Sequence, residues 1–599
     1  MKKRVLALLM VIALVAGVFA GCGGDNNSSQ GGTSSTAPSK PADDNQSSAA
    51  DPVNTNVSTG PADCSEPYDF TVYYNYTGWN KTFGQDETSK YLCDKFNISV
   101  NWYGPDSDPD AKLNLMVSSD DLPESIILDR GPMLNKIARA GLLQDLAQYM
   151  YEGNTFEQDV TEGARAMQAV DGVVYGVPNW SRKGATGGNY QWIVNTDTYE
   201  KAGSPKLETF EDLHQYALKV KELNPTSYSG QSVYPFWCTQ TDNAYYVYQP
   251  FYRATGMPNI IETFFTQENS TIQYCLESEN FIKALKEANK WFNEGLFTAE
   301  VFTDNHDQFL EKVTNARPAL LWYDFSQDSI ERFRQIVHEN TNNEVSYEVL
   351  GHKLGQFPDS PQFPPMEGVE FCYGDETGGV GWNVNCITKK ATDPQRIFDL
   401  WTYMLTPEFS VILQYGPEGG TMLDHIDENG APVLKKNESE FSTAEKDATG
   451  AWFWAQPAQS DYVDGTKFAL NDQLPDDKKD WVIDIQAHLC SYDEENPQIG
   501  QKFMTDENTG LASEIDPQTD LGVAFQSLKD KSKEMLPKII MAKDDAEFDK
   551  LVQETLDFMK SNGQSDEVCK VFQAKHDANI EAQGFSAYSD EYDVYKLNK

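Results

Sequence analysis

Alternating apolar and polar residues predict strands near the start of the folded part of the chain. The segment YDFTVYYNYTGWN (68–80) alternates over its first half, and ISVNWYG (98–104) repeats the alternation. The apolar run at 126–128 predicts a short buried strand, and we expect a helix over 133–143. Strands that alternate with helices favour an α/β fold with a parallel sheet.

Helix signals continue along the rest of the chain. Thr209 and Asp212 have the spacing of a capping box at the start of ETFEDLHQYALKVKEL. Asp393-Pro394 suits the N-cap and the first turn of a later helix, and another helix is expected over 548–559. Tryptophans inside such periodic segments are predicted to be core residues; these are Trp102, Trp291 and Trp401.

The N-terminal segment has the pattern of a secretory signal. Three basic residues precede an apolar run over 5–19, which is too short to span a bilayer well. The stretch VFAGC, ending at Cys22, resembles a bacterial lipobox, although Phe19 stands where leucine is usual. An ordinary signal peptide is the alternative. Residues 23–65 contain almost no large apolar side chains, so we expect a disordered tether after a lipidated Cys22.

Composition limits the classes of partner. The chain has 599 residues, with 92 acidic and 48 basic side chains and a net charge of −44. Such a charge argues against nucleic acid and against anionic membrane surfaces as partners. Eight of the 9 cysteines remain if Cys22 is lipidated, and none has C-x-x-C spacing; whether they form disulfides stays open.

Several motifs then occur in one order: LNLMVSSDDLPESIILD, DGVVYGVPNW, WIVNTDTYEKAG, NKWFNEGLF, ITKKATDPQRIFDLWTYMLTPE and YGPEGG. Together they resemble extracellular solute-binding lipoproteins of carbohydrate-uptake ABC transporters, in the long Gram-positive branch of family 1. The resemblance covers most of residues 66–440. It implies a two-lobed, periplasmic-binding-protein-like (type II) α/β fold with a ligand cleft between the lobes.

The resemblance also gives a domain plan. We expect the chain to cross between lobes near 187–192 and to return near 378–382. The expected segments are a signal peptide (1–21), the lipidated cysteine and tether (22–65), the first part of lobe 1 (66–190), the first part of lobe 2 (191–378), a return segment of lobe 1 (379–455), and a mainly helical C-terminal part, mostly of lobe 2 (456–599).

Catalytic signatures are missing from the sequence. It contains no P-loop, no H-E-x-x-H and no G-x-S-x-G motif, so we expect no enzyme and no cofactor. Asp106, Asp108 and Asp110 begin like a calcium loop, but Ala111 and Val117 stand where glycine and glutamate are needed. We therefore expect no metal site of this type there. Paired carboxylates for glycoside hydrolysis stay open among so many acids.

Aromatic and polar residues near predicted strand ends are the candidate ligand contacts. Sugar rings pack their C–H faces on aromatic rings, and their hydroxyls pair with polar side chains. Trp79, Trp180 and Trp382 lie in Gly/Pro/Asn-rich turns just past strands, where a ligand platform is favoured over core. The further candidates are Asp129, Arg130, Tyr245, Trp322, Tyr323, Asp324, Asn383 and Glu418.

The sequence thus favours a monomeric substrate-binding lipoprotein of an ABC importer. It would be lipid-anchored at the cell membrane on the extracellular side, capture a carbohydrate, most simply an oligosaccharide, and deliver it to the permease transmembrane subunits. The lipid anchor would be its only membrane contact. A secreted polysaccharide-active enzyme is one alternative, and a binding protein for peptide or another polar solute is another.

Overall fold

The structure, a computed structural model, describes residues 58, 60–77, 82–181, 190–238, 245–257, 260–261, 264–268, 270–324, 328–342, 344–350, 363–369, 374–376, 381–450, 456–475, 479–480, 483–484, 487, 502–504 and 506–583.

The strands of the described residues are β1 (Tyr68–Tyr74), β2 (Ile98–Tyr103), β3 (Ser125–Asp129), β4 (Gly176–Pro178), β5 (Tyr190–Asn195), β6 (Tyr234–Cys238), β7 (Ile260–Ile261), β8 (Phe265–Glu268), β9 (Thr271–Tyr274), β10 (Pro318–Asp324), β11 (Tyr347–Val349), β12 (Gly374–Glu376), β13 (Asn383–Ile387), β14 (Leu423–Ile426), β15 (Pro432–Leu434) and β16 (Lys502–Met504).

The α-helices of the same residues are α1 (Glu87–Phe96), α2 (Pro109–Ser118), α3 (Pro132–Arg139), α4 (Phe156–Asp159), α5 (Glu162–Gln168), α6 (Thr196–Lys201), α7 (Phe210–Leu223), α8 (Tyr245–Ala254), α9 (Glu279–Asn293), α10 (His306–Thr314), α11 (Asp328–Thr341), α12 (Pro394–Tyr403), α13 (Pro407–Tyr415), α14 (Thr443–Thr449), α15 (Ser460–Asp472), α16 (Asp520–Ile540), α17 (Asp545–Ser561) and α18 (Ser565–Gln583). Short 3-10 helices include Leu146–Tyr149 and Leu511–Glu514.

The first sheet has the strand order β2-β1-β3-β13-β4, and apolar helices cover both of its faces. Successive side chains of a strand point to opposite faces, so neighbours along one strand enter different cores. Val72 and Ile127 lie in the core formed with α1, α12 and α13. Tyr73 and Ile126 lie in the core on the other face, formed with α2 and α3. This sandwich is the centre of the first lobe.

The second sheet has the order β11-β5-β10-β6 and belongs to a separate, larger core. Trp192 and Phe236 from its strands pack against Phe210 and Trp291 from α7 and α9. Residues of α16, α17 and α18 join the same core, which makes the C-terminal helices part of the second lobe. Helix α18 also packs on α5, whose Ala164 and Met167 belong to the first-lobe core.

The expected parallel pairing is confirmed for the first strands, but each sheet also contains a strand that runs against its neighbours. Strands β1, β2 and β3 are parallel, but β13 is antiparallel to both β3 and β4. In the second sheet β5 is antiparallel to β10 and β11. Along the chain, β5 is the first described strand after the chain leaves the first sheet, and β13 is the strand with which the chain returns to it. A strand that enters directly at the carboxyl edge must run opposite to strands that end there.

The sequence signals that predicted the starts of α7 and α12 are confirmed. The Thr209–Asp212 capping box is present in α7, and Asp393 caps α12 with Pro394 in its first turn. Helix α17 covers the predicted 548–559. Helix α3 ends at Arg139, earlier than the expected 143, because Gly141 adopts a left-handed φ of 72°.

The predicted core tryptophans are confirmed: Trp102, Trp291 and Trp401 are all buried. The expected lobe crossings near 187–192 and 378–382 lie mostly outside the described residues, and the expected segment boundaries stay a prediction. Within the described residues, the cysteines carry free thiols and no helix combines the length and apolarity that crossing a bilayer requires.

Candidate functional site

Three chain segments meet at the carboxyl edge of the first sheet. Strand β3 ends there at Asp129, β4 ends there just before Asn179 and Trp180, and β13 begins there at Asn383. Asn383 is the register partner of Asp129, and the next residue, Val384, pairs with Pro178. The sheet therefore brings predicted site residues from three distant parts of the sequence to one edge.

Hydrogen bonds hold the three segments together. The Arg130 backbone N–H donates to the Trp382 carbonyl at 3.0 Å, and its Nε donates to the Gly381 carbonyl at 2.6 Å. The Asn383 backbone N–H donates to Asn179 Oδ1 at 3.0 Å, while the Asn179 N–H donates to the Asn383 carbonyl at 3.2 Å. These contacts fix the backbone on both sides of Trp382.

Two backbone features show how tightly the conformation of this sheet edge is constrained, one at Gly381 and one at Trp180. A Cβ atom at Gly381 would lie 1.7 Å from the Asn179 carbonyl oxygen, so only glycine fits there without movement. Trp180 has a φ of 44°, in the left-handed region that a bulky residue rarely adopts. Such strain persists only where surrounding contacts enforce it, and it is common at binding sites.

The two tryptophans of this edge differ in exposure. Trp382 is 46% exposed, which makes it one of the few large apolar side chains of the described residues that are substantially exposed to solvent. Trp180 is half-buried and packs against the first-lobe core. Trp382 can therefore offer nearly half of its surface to a ligand, whereas the more buried Trp180 can offer less.

A cavity of about 1010 Å³ opens beside this edge. Its wall in the first lobe consists of the ends of β1 and β3 with parts of α2 and α3, and includes Asp129 and Arg130. Its opposite wall is the segment 513–518. Leu511 and Ile515, beside that wall, belong to the second-lobe core. A molecule in the cavity would thus touch both lobes.

One hydrogen bond joins the two walls. Asn135 Nδ2, on α3, donates to the carbonyl oxygen of Ser513 at 2.9 Å. The cavity is at the upper end of the volumes typical of small-molecule sites, ~300–1,000 Å³. It has room for several sugar units or for a molecule of similar size.

Tyr76 and Asp129 form the central polar pair of the cavity wall. The Tyr76 hydroxyl donates to Asp129 Oδ1. Burial raises the pKa of the Tyr76 phenol, and the Asp129 carboxylate raises it further, with a weaker opposing effect from the Asn383 amide. Although Asp129 is exposed to the cavity, the surrounding protein displaces water and raises the pKa of its carboxyl group.

Buried amides at this edge have unused hydrogen-bonding capacity. Asn383 is fully buried, and its amide is near enough to the Tyr76 phenol to affect the pKa of that phenol. Neither its Oδ1 nor its Nδ2, however, has a partner in hydrogen-bonding geometry in the described part of the chain. Gln456 is also buried, and neither polar atom of its side chain has a partner among the described residues. It precedes Pro457, which forms an isolated β-bridge with Asn179. Asn75 uses its Nδ2 but not its Oδ1. Buried polar groups are normally paired, so these atoms point to an absent ligand or water.

The remaining predicted residues lie elsewhere or cannot be placed. Trp322 is buried in the second-lobe core, where its Nε1 donates to Gln249 Oε1 at 2.7 Å, and Tyr323 stacks on Phe309. Glu418 accepts a hydrogen bond from the Ile426 N–H at 2.7 Å next to the β14–β15 hairpin. Trp79 and the side chains of Tyr245 and Asp324 lie outside the described residues.

Several residues of the site were not among the sequence candidates. Asn75 and Tyr76 directly follow β1, so the rule that selected Asp129 at the end of β3 could have selected them too. Gln456 and Asn135 carry no such signal, because their positions depend on contacts between distant segments.

The aspartates that begin like a calcium loop have other roles. Asp108 caps α2 by accepting from the Ala111 N–H at 3.0 Å, and Asp110 accepts from Asn75 Nδ2 at 2.9 Å. Among the residues that the structure describes, no cluster of three or more potential metal ligands occurs.

Comparison with known proteins agrees with this architecture. Residues 81–327 match the family model of bacterial extracellular solute-binding proteins. No curated protein matches the chain.

Solved structures with the same fold include an HMO-binding, ABC-transporter-associated solute-binding protein from Bifidobacterium longum infantis, with a TM-score of 0.61 and 15% identity over 86% of this chain and 99% of that one. The S. pneumoniae ABC-transporter substrate-binding protein FusA in complex with kestose has a TM-score of 0.58 and 18% identity over 86% and 99%. The alginate-binding protein AlgQ2 has a TM-score of 0.57 and 16% identity over 86% and 98%. At these identities the likeness establishes the two-lobed fold.

Proposed function

We propose that this chain is the substrate-binding lipoprotein of an ABC importer, which captures an oligosaccharide outside the membrane and delivers it to the permease. The observation that carries this proposal is the sheet edge at which the exposed ring of Trp382 adjoins the unpartnered amide of Asn383. An aromatic face beside amides that both donate and accept hydrogen bonds suits a sugar, which has apolar C–H faces and hydroxyl groups.

The cavity supports a binding cycle rather than a reaction. Its walls come from both lobes, so a bound sugar would stabilise the arrangement in which the lobes are close together. The similar solved structures that bind kestose and HMO are consistent with a carbohydrate ligand, although the residues proposed here rest on this chain's own geometry.

The N-terminal sequence supports a location for this protein, and the proposed function implies its partners. A lipidated Cys22 and the polar segment 23–65 would tether the folded body to the outer face of the cell membrane. The membrane contact would be the lipid alone, and the protein partner would be the pair of permease transmembrane subunits. A monomer suits this role, because the cavity is completed by segments of one chain.

A panel of oligosaccharides tests the proposal on the protein without its first 65 residues. Calorimetry should find a sugar that binds, and X-ray scattering should show that the particle becomes more compact with it. At a free concentration of about 100 times Kd, the free energy of unfolding should rise by ~2.7 kcal/mol. Release of reducing sugar, or binding of peptides but of no sugar, would contradict the proposal.

A further inference from the structure

The cationic side chains that line the cavity are already engaged within the protein. Lys136 Nζ donates to Asn114 Oδ1 at 2.6 Å. Arg139 makes two hydrogen bonds to the Asp171 carboxylate, each of 3.1 Å. Arg130 uses its Nε for the Gly381 carbonyl. A ligand carboxylate would therefore share each of these cations with a contact that the protein already makes.

Carboxylates of the cavity wall would repel a negative ligand. Asp108, Asp110, Asp129 and Asp516 all line it. The Asp110 charge contributes to the raised pKa of Asp129, which indicates that the negative charges already interact. The net charge of −44 adds a long-range repulsion of anions that salt weakens.

Neutral groups hold the unused hydrogen-bonding capacity. Among the described residues, Asn75 Oδ1 on the cavity wall has no hydrogen-bond partner, and neither have the side-chain amides of Asn383 and Gln456, which lie at the same sheet edge but not in the cavity lining. An amide offers both a donor and an acceptor, as a hydroxyl does, whereas a carboxylate accepts only. A carboxylate facing these acceptors would leave them unpaired, which costs roughly 1–3 kcal/mol for each buried group.

On the premise of the proposed function, we infer that the ligand is an uncharged glycan and that the site rejects uronic-acid oligosaccharides. The carboxylates of the cavity wall disfavour anions, and the unpaired Oδ1 of Asn75 on that wall matches a hydroxyl donor. Specificity for neutral sugars comes from these two features acting together.

Two matched panels test this inference on the soluble body. One contains neutral gluco-, galacto-, manno- and fructo-oligosaccharides of two to six units, and the other contains uronic-acid oligomers of the same lengths. We expect binding in the neutral panel with a Kd that changes less than about twofold between low and high salt. The best acidic oligomer should bind at least about tenfold more weakly at low salt.

A charge variant provides a second, independent measurement. Asp516→Lys places a new cation on the cavity wall, and Asp530→Lys makes the same charge change on an exposed part of α16. Relative to Asp530→Lys, Asp516→Lys should improve binding of the uronic-acid oligomers by about tenfold at low salt.

The outcomes separate the two proposals. Tighter binding of acidic than of neutral oligomers by the unmodified body would overturn the inference while leaving the sugar-binding function intact. Equal effects of Asp516→Lys and Asp530→Lys on acidic oligomers would also overturn it, because the cavity charges would then be irrelevant. If no sugar of either panel binds and peptides do, the proposed function itself fails.

Discussion

Asn383 and Asp129 stand opposite each other in the antiparallel register of β13 and β3, at the edge where the first sheet meets the cavity. Asn383 is fully buried, and its amide has no hydrogen-bond partner among the described residues, whereas Asp129 faces the cavity and accepts from the Tyr76 hydroxyl. A buried amide without partners weakens the fold. We attribute its presence to ligand binding, since a core position would favour an apolar residue.

Replacing Asn383 with leucine should separate binding from stability. The change removes an unpaired buried polar group of similar volume, so the melting temperature should stay equal or rise, with a gain in unfolding free energy of up to ~1 kcal/mol. Sugar affinity should fall at least about tenfold. Calorimetric titration and thermal melting of the same variant measure both effects.

Asn385, two residues along the same strand, is the matched control. Its Nδ2 donates to the Val177 carbonyl at 3.2 Å, so Asn385→Leu should cost ~1 kcal/mol of stability and leave sugar affinity nearly unchanged. If Asn383→Leu destabilises the protein as much as its control and binds sugar normally, Asn383 is structural.

Local sequence patterns were sufficient to predict helices and strands, but not to predict which distant residues come together. Alternation and helix caps are local, so β1, β3, α7 and α12 could be predicted from their own residues. The antiparallel placement of β13 depends on where the chain returns from the other lobe, and no local pattern encodes that.

Residues of the candidate site could likewise be predicted only where a local sequence pattern marks them. Asp129 and Trp382 could be selected because they stand at strand ends, whereas Gln456 and Asn135 depend on tertiary contacts. Trp322 also lies in a predicted strand, but β10 is an inner strand between β5 and β6, and the Trp322 ring is buried in the second-lobe core. The sequence of one strand does not show which other elements will pack on its faces.

Gly381→Ala should disturb the turn that positions Trp382. The added methyl group would overlap the Asn179 carbonyl, so the backbone must move at a cost of ~1–3 kcal/mol of stability. We expect a lower melting temperature and weaker sugar binding. Gly465→Ala is the control, because Gly465 lies inside α15 with nothing within 4 Å of its Cβ position. That variant should gain up to ~1 kcal/mol. Equal behaviour of the two variants would mean that the turn tolerates a side chain.

His338 on α11 should make stability sensitive to acid. Burial lowers its pKa from 6.5 to about 4, and the Arg334 charge contributes. Between these two pH values the unfolded chain takes up a proton that the folded protein refuses, so the free energy of unfolding falls as the pH is lowered through this window. His338→Gln should reduce that fall, as measured by denaturant titration at pH 7 and at pH 4.5. The same pH dependence in both proteins would assign the effect to other groups.

Cys22→Ser should release the protein from the membrane. Two acyl chains on this cysteine would provide stable anchoring, since each buried CH₂ contributes ~0.8 kcal/mol, and the variant would lack them. The variant should be found in the culture medium, whereas Cys64→Ser, which changes a free thiol at the far end of the tether, should stay with the membrane. Membrane retention of Cys22→Ser would show that the signal peptide is an anchor of another kind.

Trp382→Ala should weaken sugar binding far more than it weakens the fold. With 46% of the residue exposed, the indole contributes less to the core than a buried tryptophan does. A stacked ring contributes ~0.5–1.5 kcal/mol beyond its area burial. With the buried area included, the loss should be roughly 1.5–3 kcal/mol, or about ten- to a hundredfold in Kd.

Trp401→Ala gives the opposite expectation on a ring that is fully buried in the first-lobe core. It should cost ~3–5 kcal/mol of folding stability, and the fraction of protein that remains folded should bind sugar with nearly unchanged Kd. Melting and calorimetric titration of both variants compare the two positions directly. A large drop in the melting temperature of Trp382→Ala with its affinity unchanged would return this tryptophan to the core and move the ligand site away from the carboxyl edge of the first sheet.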